Sequence, residues 1–436
     1  MKQGSSLRFD LILLISSLFI MVVGIIFIYS SGVTATGVVF SYEYIRQIIW
    51  VGTGLIFLFG ITFFDYGKLK DFAPYIYIFF LLLLVLTLFF GRIVNGARSW
   101  LGPSGFGIQP SEFTKIAAIL LLAVYLERTG KKITELPRLL LAALIAFIPM
   151  GLVLIQPDLG TATVFIPIFL AMVYIAGAKV SHILFILLTG FLMLLFTVLP
   201  AWQGYVLSQE VLIFNIFNNR RLLLIVIFTA LMVFLLALTG YFTIKRRYFY
   251  WIMYGAAITG IAMLGSVGGR MFLKEYQIMR LIIFLNPYVD PLGSGWNIIQ
   301  SKTAVGSGGL VGKGLLEGTQ SHYQYLPQQS TDFIFSIYAE EWGFIGVMVL
   351  FTVFGIILLR GLVIVHLAKD KFGSLLGAGI LGMFFFHFLV NIGMAMGIMP
   401  VTGIPLFFMS YGGSSLWTGA ISIGLLMSIY QHRYRY

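Results

Sequence analysis

Long runs of apolar residues recur along the chain and alternate with shorter polar segments. Each run approaches the roughly 20 residues that an α-helix needs to cross a bilayer, and the runs are continuous, which excludes a closed membrane β-barrel. The pattern predicts an all-α, polytopic membrane bundle of about twelve transmembrane helices. The predicted spans are residues 9–30, 45–64, 72–90, 112–127, 139–155, 160–178, 182–200, 221–241, 248–266, 332–360, 373–397 and 403–430.

The composition agrees with insertion into a membrane. Of the 436 residues, 59% are hydrophobic and 10% are charged, and the mean hydropathy is +0.98. Soluble domains contain about 45–50% apolar and about 25% charged residues, so a soluble enzyme, a secreted disulfide scaffold and a disordered chain are excluded. The absence of cysteine excludes thiol nucleophiles and thiolate metal sites.

The excess of basic residues predicts an orientation. The 28 Lys and Arg outnumber the 16 Asp and Glu, which gives a net charge of +12. Basic residues concentrate in the cytoplasmic loops of membrane proteins, and this explains the excess better than a nucleic-acid partner does. With both termini in the cytoplasm, most basic residues lie on the inner side. They include Lys68, Lys70, Arg128, Lys131, Lys132, Lys245, Arg246, Arg247, Lys369 and Lys371.

Two long polar segments, 91–111 and 267–331, then fall on the outer side. Connections of this length are usually functional or disordered. In the second segment Tyr276, Met279 and Arg280 follow helical spacing, which predicts a helix lying in the membrane interface. We expect much of the polar chemistry of the protein on this side.

Ionisable residues near a bilayer are costly and therefore informative. Glu112 and Lys115 lie three positions apart and share one face of the fourth predicted helix, and Pro110 marks its first turn. Asp158 follows Pro157 in a tight turn before the sixth helix. Two interpretations stay open: helix caps and an ion pair with no further role, or a polar cleft in which the three charged groups meet.

A further carboxylate, Asp290, lies in a turn-rich stretch at 286–295, where Pro287 and Pro291 stiffen the chain. A carboxylate at this boundary suits a general base. Asp-Pro is also a common turn initiator, and the residues alone favour that simpler interpretation.

Glycines cluster at 306–314 and 403–413. The first cluster could present backbone N–H groups to phosphate oxygens, but it lacks the spacing of a nucleotide-binding loop, so nucleotide hydrolysis is excluded. The second interrupts the last helix, as in broken helices that line cavities, although packing explains it equally well. The five histidines show no metal-ligand spacing.

Taken together, these motifs resemble the SEDS family (shape, elongation, division and sporulation proteins). The similar segments are 95–101, 109–112 with Lys115, 156–161, 290–295, 300–302, 314–320, 326–327, 331–333 and 410–415. Within the family, 318–320 and 400–405 resemble the RodA-like branch, which serves elongation. The combination is specific, whereas each single motif is not.

The resemblance implies a peptidoglycan glycosyltransferase that polymerises lipid II at the outer face of the cytoplasmic membrane. Its implied partners are a class B penicillin-binding protein and other membrane proteins of the elongation complex. Asp290 would be the general base of one inverting displacement, which needs no covalent nucleophile. Residues implied to bind substrate are Glu112, Lys115, Asp158, Arg98, Gln109, Ser111, Gln156, Gln300, Ser301, Lys302, Thr331, Asp332, Ser410 and Tyr411.

The cofactor expectation is limited to a divalent cation, Mg²⁺ or Mn²⁺, which would help neutralise pyrophosphate. The sequence shows no ligand cluster to hold one. A lipid II flippase and a non-catalytic scaffold remain as alternatives. A flippase should place charges deep in several spans, and among the lysines only Lys115 lies within a predicted span.

The chain departs from the family pattern in three places. Family members usually have ten spans, so the helices at 221–241 and 248–266 are interpreted as an inserted hairpin within a single membrane domain, 1–436. The outer segment 267–331 would be the catalytic loop. Ser330 stands where histidine is common, and Phe407 where proline is common.

Overall fold

The computed structural model describes residues 9–94, 96–103, 106–206, 215–273 and 275–433, so Asn95 of the 95–101 motif lies outside the described residues. The chain is almost entirely helical, in agreement with the predicted fold class. The helices are α1 (Leu11–Ser31), α2 (Glu43–Phe63), α3 (Leu69–Phe90), α4 (Pro110–Thr129), α5 (Leu136–Ile155), α6 (Leu159–Thr163), α7 (Phe165–Ala176), α8 (Val180–Val206), α9 (Asn215–Asn218), α10 (Arg220–Thr243), α11 (Arg247–Phe272), α12 (Glu275–Leu285), α13 (Trp296–Ser307), α14 (Thr319–His322), α15 (Ile334–Leu367), α16 (Lys371–Ala395) and α17 (Gly413–His432).

Within the described ranges, ten helices are long and apolar enough to cross a membrane, and the protein is a multi-pass membrane protein. They match ten of the twelve predicted spans, with α6 and α7 together forming one. The other two predicted spans exist as α4 and α17, but these helices are less apolar. Most of their side chains are buried against protein, so they do not need the apolar surface that lipid imposes.

Two predicted boundaries are corrected. The last helix begins at Gly413 rather than at 403, because Gly403 and Phe408 adopt left-handed backbone that a helix cannot continue, with φ of 74° and 68°. The outer segment 267–331 also contains helices: α11 continues to Phe272, and α12, α13 and α14 follow. Helix α12 confirms the helix predicted from Tyr276 onward.

A small antiparallel hairpin in the segment 91–111 was not predicted. Its strands are β1 (Arg92–Val94) and β2 (Ala97–Trp100), with Ile93 opposite Arg98. Gly96, at φ 85°, takes the left-handed turn conformation that favours glycine. The strands are too short for period-two alternation to reveal them in the sequence.

The chain separates into two compact units, residues 1–178 with 297–436, and residues 179–296. In the first unit α4 packs against α3, α5, α7, α16 and α17, so the polar first turn of α4 is enclosed by protein. In the second unit α11 packs against α8 and α10. The interpretation of 221–266 as an insertion stays a prediction.

Each unit has an apolar cluster next to a candidate site residue. In the first, Leu84, Ala118, Val153 and Phe165 join α3, α4, α5 and α7. In the second, Val198 of α8 packs with Leu281 and Ile282 of α12, and Val289 packs against them. Val289 immediately precedes Asp290, so the turn that carries this carboxylate rests on a packed core.

Candidate active site

The predicted pair Glu112 and Lys115 forms a buried ion pair in the first unit. Pro110 starts α4, which places Glu112 in its first turn and Lys115 one turn later. Lys115 Nζ donates to Glu112 Oε1 at 2.8 Å, and the two residues are 0% and 1% exposed. A charge pair removed from water this completely is expensive unless hydrogen bonds compensate it. Glu112 Oε2 has no hydrogen-bond partner within the described ranges.

A histidine that the sequence did not single out completes this group. His387 of α16 lies with Nε2 at 3.1 Å from Lys115 Nζ and Nδ1 at 2.8 Å from the Pro405 carbonyl oxygen. Because a carbonyl only accepts, Nδ1 carries the proton and Nε2 accepts from Lys115. The sequence did contain a sign of it, since His387 lies inside the apolar span 373–397 and an ionisable residue in such a span is a candidate site residue.

Asp158 caps α6 and is also joined to α4. Its Oδ1 accepts from the Thr161 N–H at 3.1 Å, and its Oδ2 accepts from Thr161 Oγ1 at 2.9 Å and from Gln109 Nε2 at 3.0 Å. Desolvation by the surrounding protein raises the pKa of the Asp158 carboxyl, while these hydrogen bonds and the charge of Lys115 act in the opposite direction. The cap interpretation is confirmed, and Asp158 also interacts with the charge of Lys115.

Backbone contacts bring the neighbouring polar segments to the same place. Gln109 N–H donates to Ser414 Oγ of α17 at 2.9 Å. Gly160 lies so close to the Thr402 carbonyl that any Cβ there would collide with it. The start of α4, the Asp158 turn and the segment before α17 are therefore packed together.

The hairpin places Arg98, another predicted residue, against Gln156 at the end of α5. The Arg98 N–H donates to the Gln156 carbonyl at 3.1 Å, and Arg98 Nη1 reaches the Leu88 carbonyl at 3.3 Å. Gln156 Nε2 donates to the Leu84 carbonyl at 3.0 Å. Ser111 is buried, and its hydroxyl finds no hydrogen-bond partner among the residues that the structure describes.

Asp290 belongs to the second unit and is half-buried. Its Oδ1 accepts from the Gly293 N–H at 3.1 Å and its Oδ2 from the Ser294 N–H at 2.8 Å. The turn interpretation is therefore confirmed. A carboxylate oxygen has two lone pairs, so each oxygen keeps one for a further hydrogen bond or for a proton.

The three predicted residues of α13 differ in how far they are buried. Ser301 is buried, and its Oγ lies 2.6 Å from both Ser336 Oγ and the Ala395 carbonyl oxygen. Lys302 is exposed and Gln300 is half-buried. These contacts make Ser301 an anchor for α15 and α16.

The segment before α15 is held through its backbone and through short local contacts. Asn391 Nδ2 donates to the Asp332 carbonyl at 3.1 Å and to the Ile404 carbonyl at 2.8 Å. Thr331 Oγ1 contacts the neighbouring Gln328 at 3.3 Å. His387 and Asn391 lie one turn apart on α16. His387 contacts the Pro405 carbonyl, and Asn391 contacts the Ile404 and Asp332 carbonyls, so α16 fixes the backbone of both segments.

Ser410 and Tyr411 tie α2 to the segment before α17. Gln47 Nε2 donates to the Ser410 carbonyl at 3.3 Å, and the Tyr411 N–H donates to the Ser330 carbonyl at 2.9 Å. Arg46 Nη1 lies 3.4 Å from the Tyr411 hydroxyl. Burial raises the pKa of Tyr411. The contacts of both residues are anchoring contacts.

A second buried charged cluster was missed by the sequence analysis. Glu340 and Glu341 of α15 are 0% and 1% exposed. Glu340 Oε1 accepts from Lys313 Nζ at 2.6 Å and from the Thr319 N–H at 2.9 Å. Two adjacent carboxylates within the apolar span 332–360 were the signal that could have found it.

The chain matches a family model described as "Cell cycle protein", for FtsW, RodA and SpoVE, over residues 10–221 and 216–435. It is 50% identical over 421 residues to the peptidoglycan glycosyltransferase RodA of Treponema pallidum, covering 97% of each chain. It is 35% identical to the stage V sporulation protein E of Bacillus subtilis, covering 96% of each.

Solved structures give the same relationship. A chain of a peptidoglycan synthase complex, whose structure concerns the coordination of polymerization and crosslinking, superposes with a TM-score of 0.67 at 28% identity, covering 99% of this chain and 100% of that one. The rod shape determining protein RodA of Thermus thermophilus superposes with a TM-score of 0.61 at 26% identity, covering 99% of each chain. By its motifs, its fold and these likenesses, the chain belongs to the FtsW/RodA/SpoVE family, the SEDS family that its sequence resembles.

Proposed function

We propose that the protein is a peptidoglycan glycosyltransferase that polymerises lipid II into glycan strands for cell elongation and rod shape. The observation that carries this proposal is 50% identity over 97% of both chains with a relative named for that activity. The buried Glu112–Lys115–His387 group supports it, because such charges are kept inside a membrane protein where a polar ligand is handled.

The proposed reaction joins the 4-hydroxyl of an acceptor sugar to the anomeric carbon of a donor chain. The C–O bond to the lipid-linked pyrophosphate breaks as the new glycosidic bond forms, and the hydroxyl proton passes to a base. Because lipid II is α-linked and glycan is β-linked, one inverting displacement is sufficient. Asp290 is the proposed base, since each of its carboxylate oxygens keeps a lone pair beside one backbone hydrogen bond.

Glu112, Lys115 and Asp158 would bind the saccharide part of the substrate, with Gln109, Ser111 and Gln156 beside them. Arg98, which is exposed, would help neutralise the pyrophosphate. In the described part of the chain, no group of three or more His, Asp or Glu side chains converges as metal ligands would. Basic side chains supply charge neutralisation in this proposal, and a divalent cation, Mg²⁺ or Mn²⁺, would add to it at the pyrophosphate.

The proposed location of the chemistry is the outer face of the cytoplasmic membrane, with both termini inside. The distribution of Lys and Arg supports this orientation. The proposed partner is a class B penicillin-binding protein that crosslinks the strands, within an elongation complex. The likeness to a chain from a complex that couples polymerization with crosslinking supports that partner.

Reconstitution of the purified protein in vesicles with fluorescent lipid II tests the function. We expect glycan polymer on a gel, with more of it when the transpeptidase partner is present. Movement of the headgroup across the bilayer without polymer would instead identify a flippase. Recruitment of cell-wall enzymes without either activity would identify a scaffold.

A further inference from the structure

His387 has no assigned role, although it is 1% exposed and directly contacts the buried Lys115. It lies on α16, whereas Lys115 lies on α4, so the contact joins two packed helices. A buried histidine often only packs in the protein core. The hydrogen-bond geometry of His387 therefore decides whether it also positions Lys115.

Both ring nitrogens of His387 are committed to one arrangement. His387 Nδ1–H donates a hydrogen bond to the Pro405 carbonyl, so the Nε2 lone pair is free to accept from Lys115 Nζ. Phe407 stacks on the imidazole with ring centroids 4.1 Å apart, and Lys115 Nζ lies 5.7 Å from the centre of the same phenyl ring. The imidazole is thus fixed in both tautomer and position.

The fixed imidazole also determines how many N–H donors of the Lys115 ammonium group are left for other partners. Lys115 has three N–H donors, and those to Glu112 and His387 account for two. Along the described stretches of the chain, the Lys115 ammonium makes no third hydrogen bond beyond these two, and Glu112 Oε2 and Ser111 Oγ have no hydrogen-bond partner. A donor, an acceptor and a hydroxyl therefore stay unused in a buried, enclosed place, where unpaired polar atoms are costly unless a ligand or water meets them.

We propose that His387 is a positioning residue: it holds the Lys115 ammonium against Glu112 so that one N–H and one carboxylate oxygen remain for a ligand. A neutral group that both donates and accepts, such as a sugar hydroxyl or an amide of the lipid-linked saccharide, fits this pair. The inference rests on the proposed binding role of Lys115. It adds that α16 sets the direction of the unused N–H.

The test compares three histidine variants by steady-state polymerisation of lipid II and by thermal unfolding. His387→Gln can still accept from Lys115, His387→Leu cannot, and His366→Leu is the matched control, because His366 is exposed on α15. We expect the KM for lipid II to rise roughly tenfold in His387→Leu and to change less than about twofold in the other two, since a hydrogen bond to a charged group is lost only in the first.

A double-mutant cycle separates positioning from filling. Lys115→Met should weaken lipid II binding, and adding His387→Leu to it should cause no further loss, because the histidine acts through the lysine. Additive losses, or equal damage from His387→Gln and His387→Leu, would overturn the inference. If Lys115→Met binds lipid II normally, the proposed role of Lys115 fails instead; if it fails to bind while His387→Leu is normal, only the role of His387 is wrong.

Discussion

Two lysine–glutamate pairs with buried carboxylates, Glu112–Lys115 and Glu340–Lys313, differ in how completely the carboxylate is hydrogen-bonded. Lys115 is buried as well, whereas the Lys313 side chain is 27% exposed. Glu340 Oε1 accepts from Lys313, from the Thr319 N–H and from Thr319 Oγ1, at 2.6, 2.9 and 3.0 Å. Its Oε2 accepts from the Gln320 N–H at 3.2 Å. Glu112 uses one oxygen, and its other oxygen is unpaired within the described residues.

The surroundings explain this difference. Most donors to Glu340 come from residues 313–320, so the carboxylate holds the connection between α13 and α14 to α15. The partner of Glu112 is Lys115 on the same long helix, α4, and Lys115 in turn contacts His387 of α16. Both helices keep their places whether or not the second Glu112 oxygen is used. A buried carboxylate with hydrogen bonds to both oxygens is an anchor, and one with an oxygen that lacks any hydrogen bond in a packed site is available to a ligand.

Replacing the anchoring carboxylate should have the largest effect, and it should fall on folding. In Glu340→Ala the donors of Lys313 and of 319–320 lose their acceptor. Each buried donor left unpaired costs about 1–3 kcal/mol, while Lys313, at 27% exposure, still reaches water. We expect a strong drop in folded yield and in the thermal unfolding temperature in detergent. Glu317→Ala, an exposed glutamate on the same segment, is the control and should unfold as the wild type does.

Glu112→Gln should have the next largest effect, and it should fall on activity per folded molecule. Glutamine keeps the shape but removes the charge that Lys115 needs, so substrate binding should weaken by roughly tenfold or more. The matched variant Glu340→Gln should lose stability while its folded fraction polymerises lipid II normally. Equal specific activities in the two folded variants would break the comparison between the clusters.

The stability of the buried Glu340–Glu341 cluster should also depend on pH, through His322. The Glu341 carboxylate, 3.6 Å away, raises the pKa of His322, and the Val33 carbonyl contributes while burial opposes it. Protonated His322 therefore stabilises the fold fully below its ordinary pKa of about 6.5, and this contribution is lost as the pH rises through the raised value.

The unfolding temperature should accordingly fall as the pH rises above about 6.5. His322→Gln should flatten this part of the profile, because glutamine does not titrate. An identical pH dependence in the wild type and the variant would exclude His322 as its source.

The smallest effect is expected at Ser301, which the sequence placed among substrate-binding residues. Its hydroxyl is used by Ser336 and by the Ala395 carbonyl. Ser301→Ala should cost about 1 kcal/mol of stability and leave the KM for lipid II unchanged. A raised KM at unchanged stability would restore Ser301 to the substrate site.

The sequence predicted the features that depend on neighbours along the chain. Ten of the spans follow from apolar runs because lipid requires them, and Glu112 meets Lys115 because the two are three residues apart on one helix. The contact of Lys115 with His387 joins residues 272 positions apart, so no local pattern encodes it. The anchoring of Glu340 by a distant segment was hidden for the same reason.

The proposed reaction requires Asp290 to remove the proton of the acceptor hydroxyl, and the Asp290→Asn variant tests this step. Asparagine keeps one of the two backbone hydrogen bonds of the turn, because its side-chain oxygen still accepts, but it loses the other and cannot take a proton. We predict a variant that folds with a stability loss of about 1 kcal/mol, binds lipid II and forms no polymer in a single-turnover assay. Polymer formation by this variant at the wild-type rate would contradict the account.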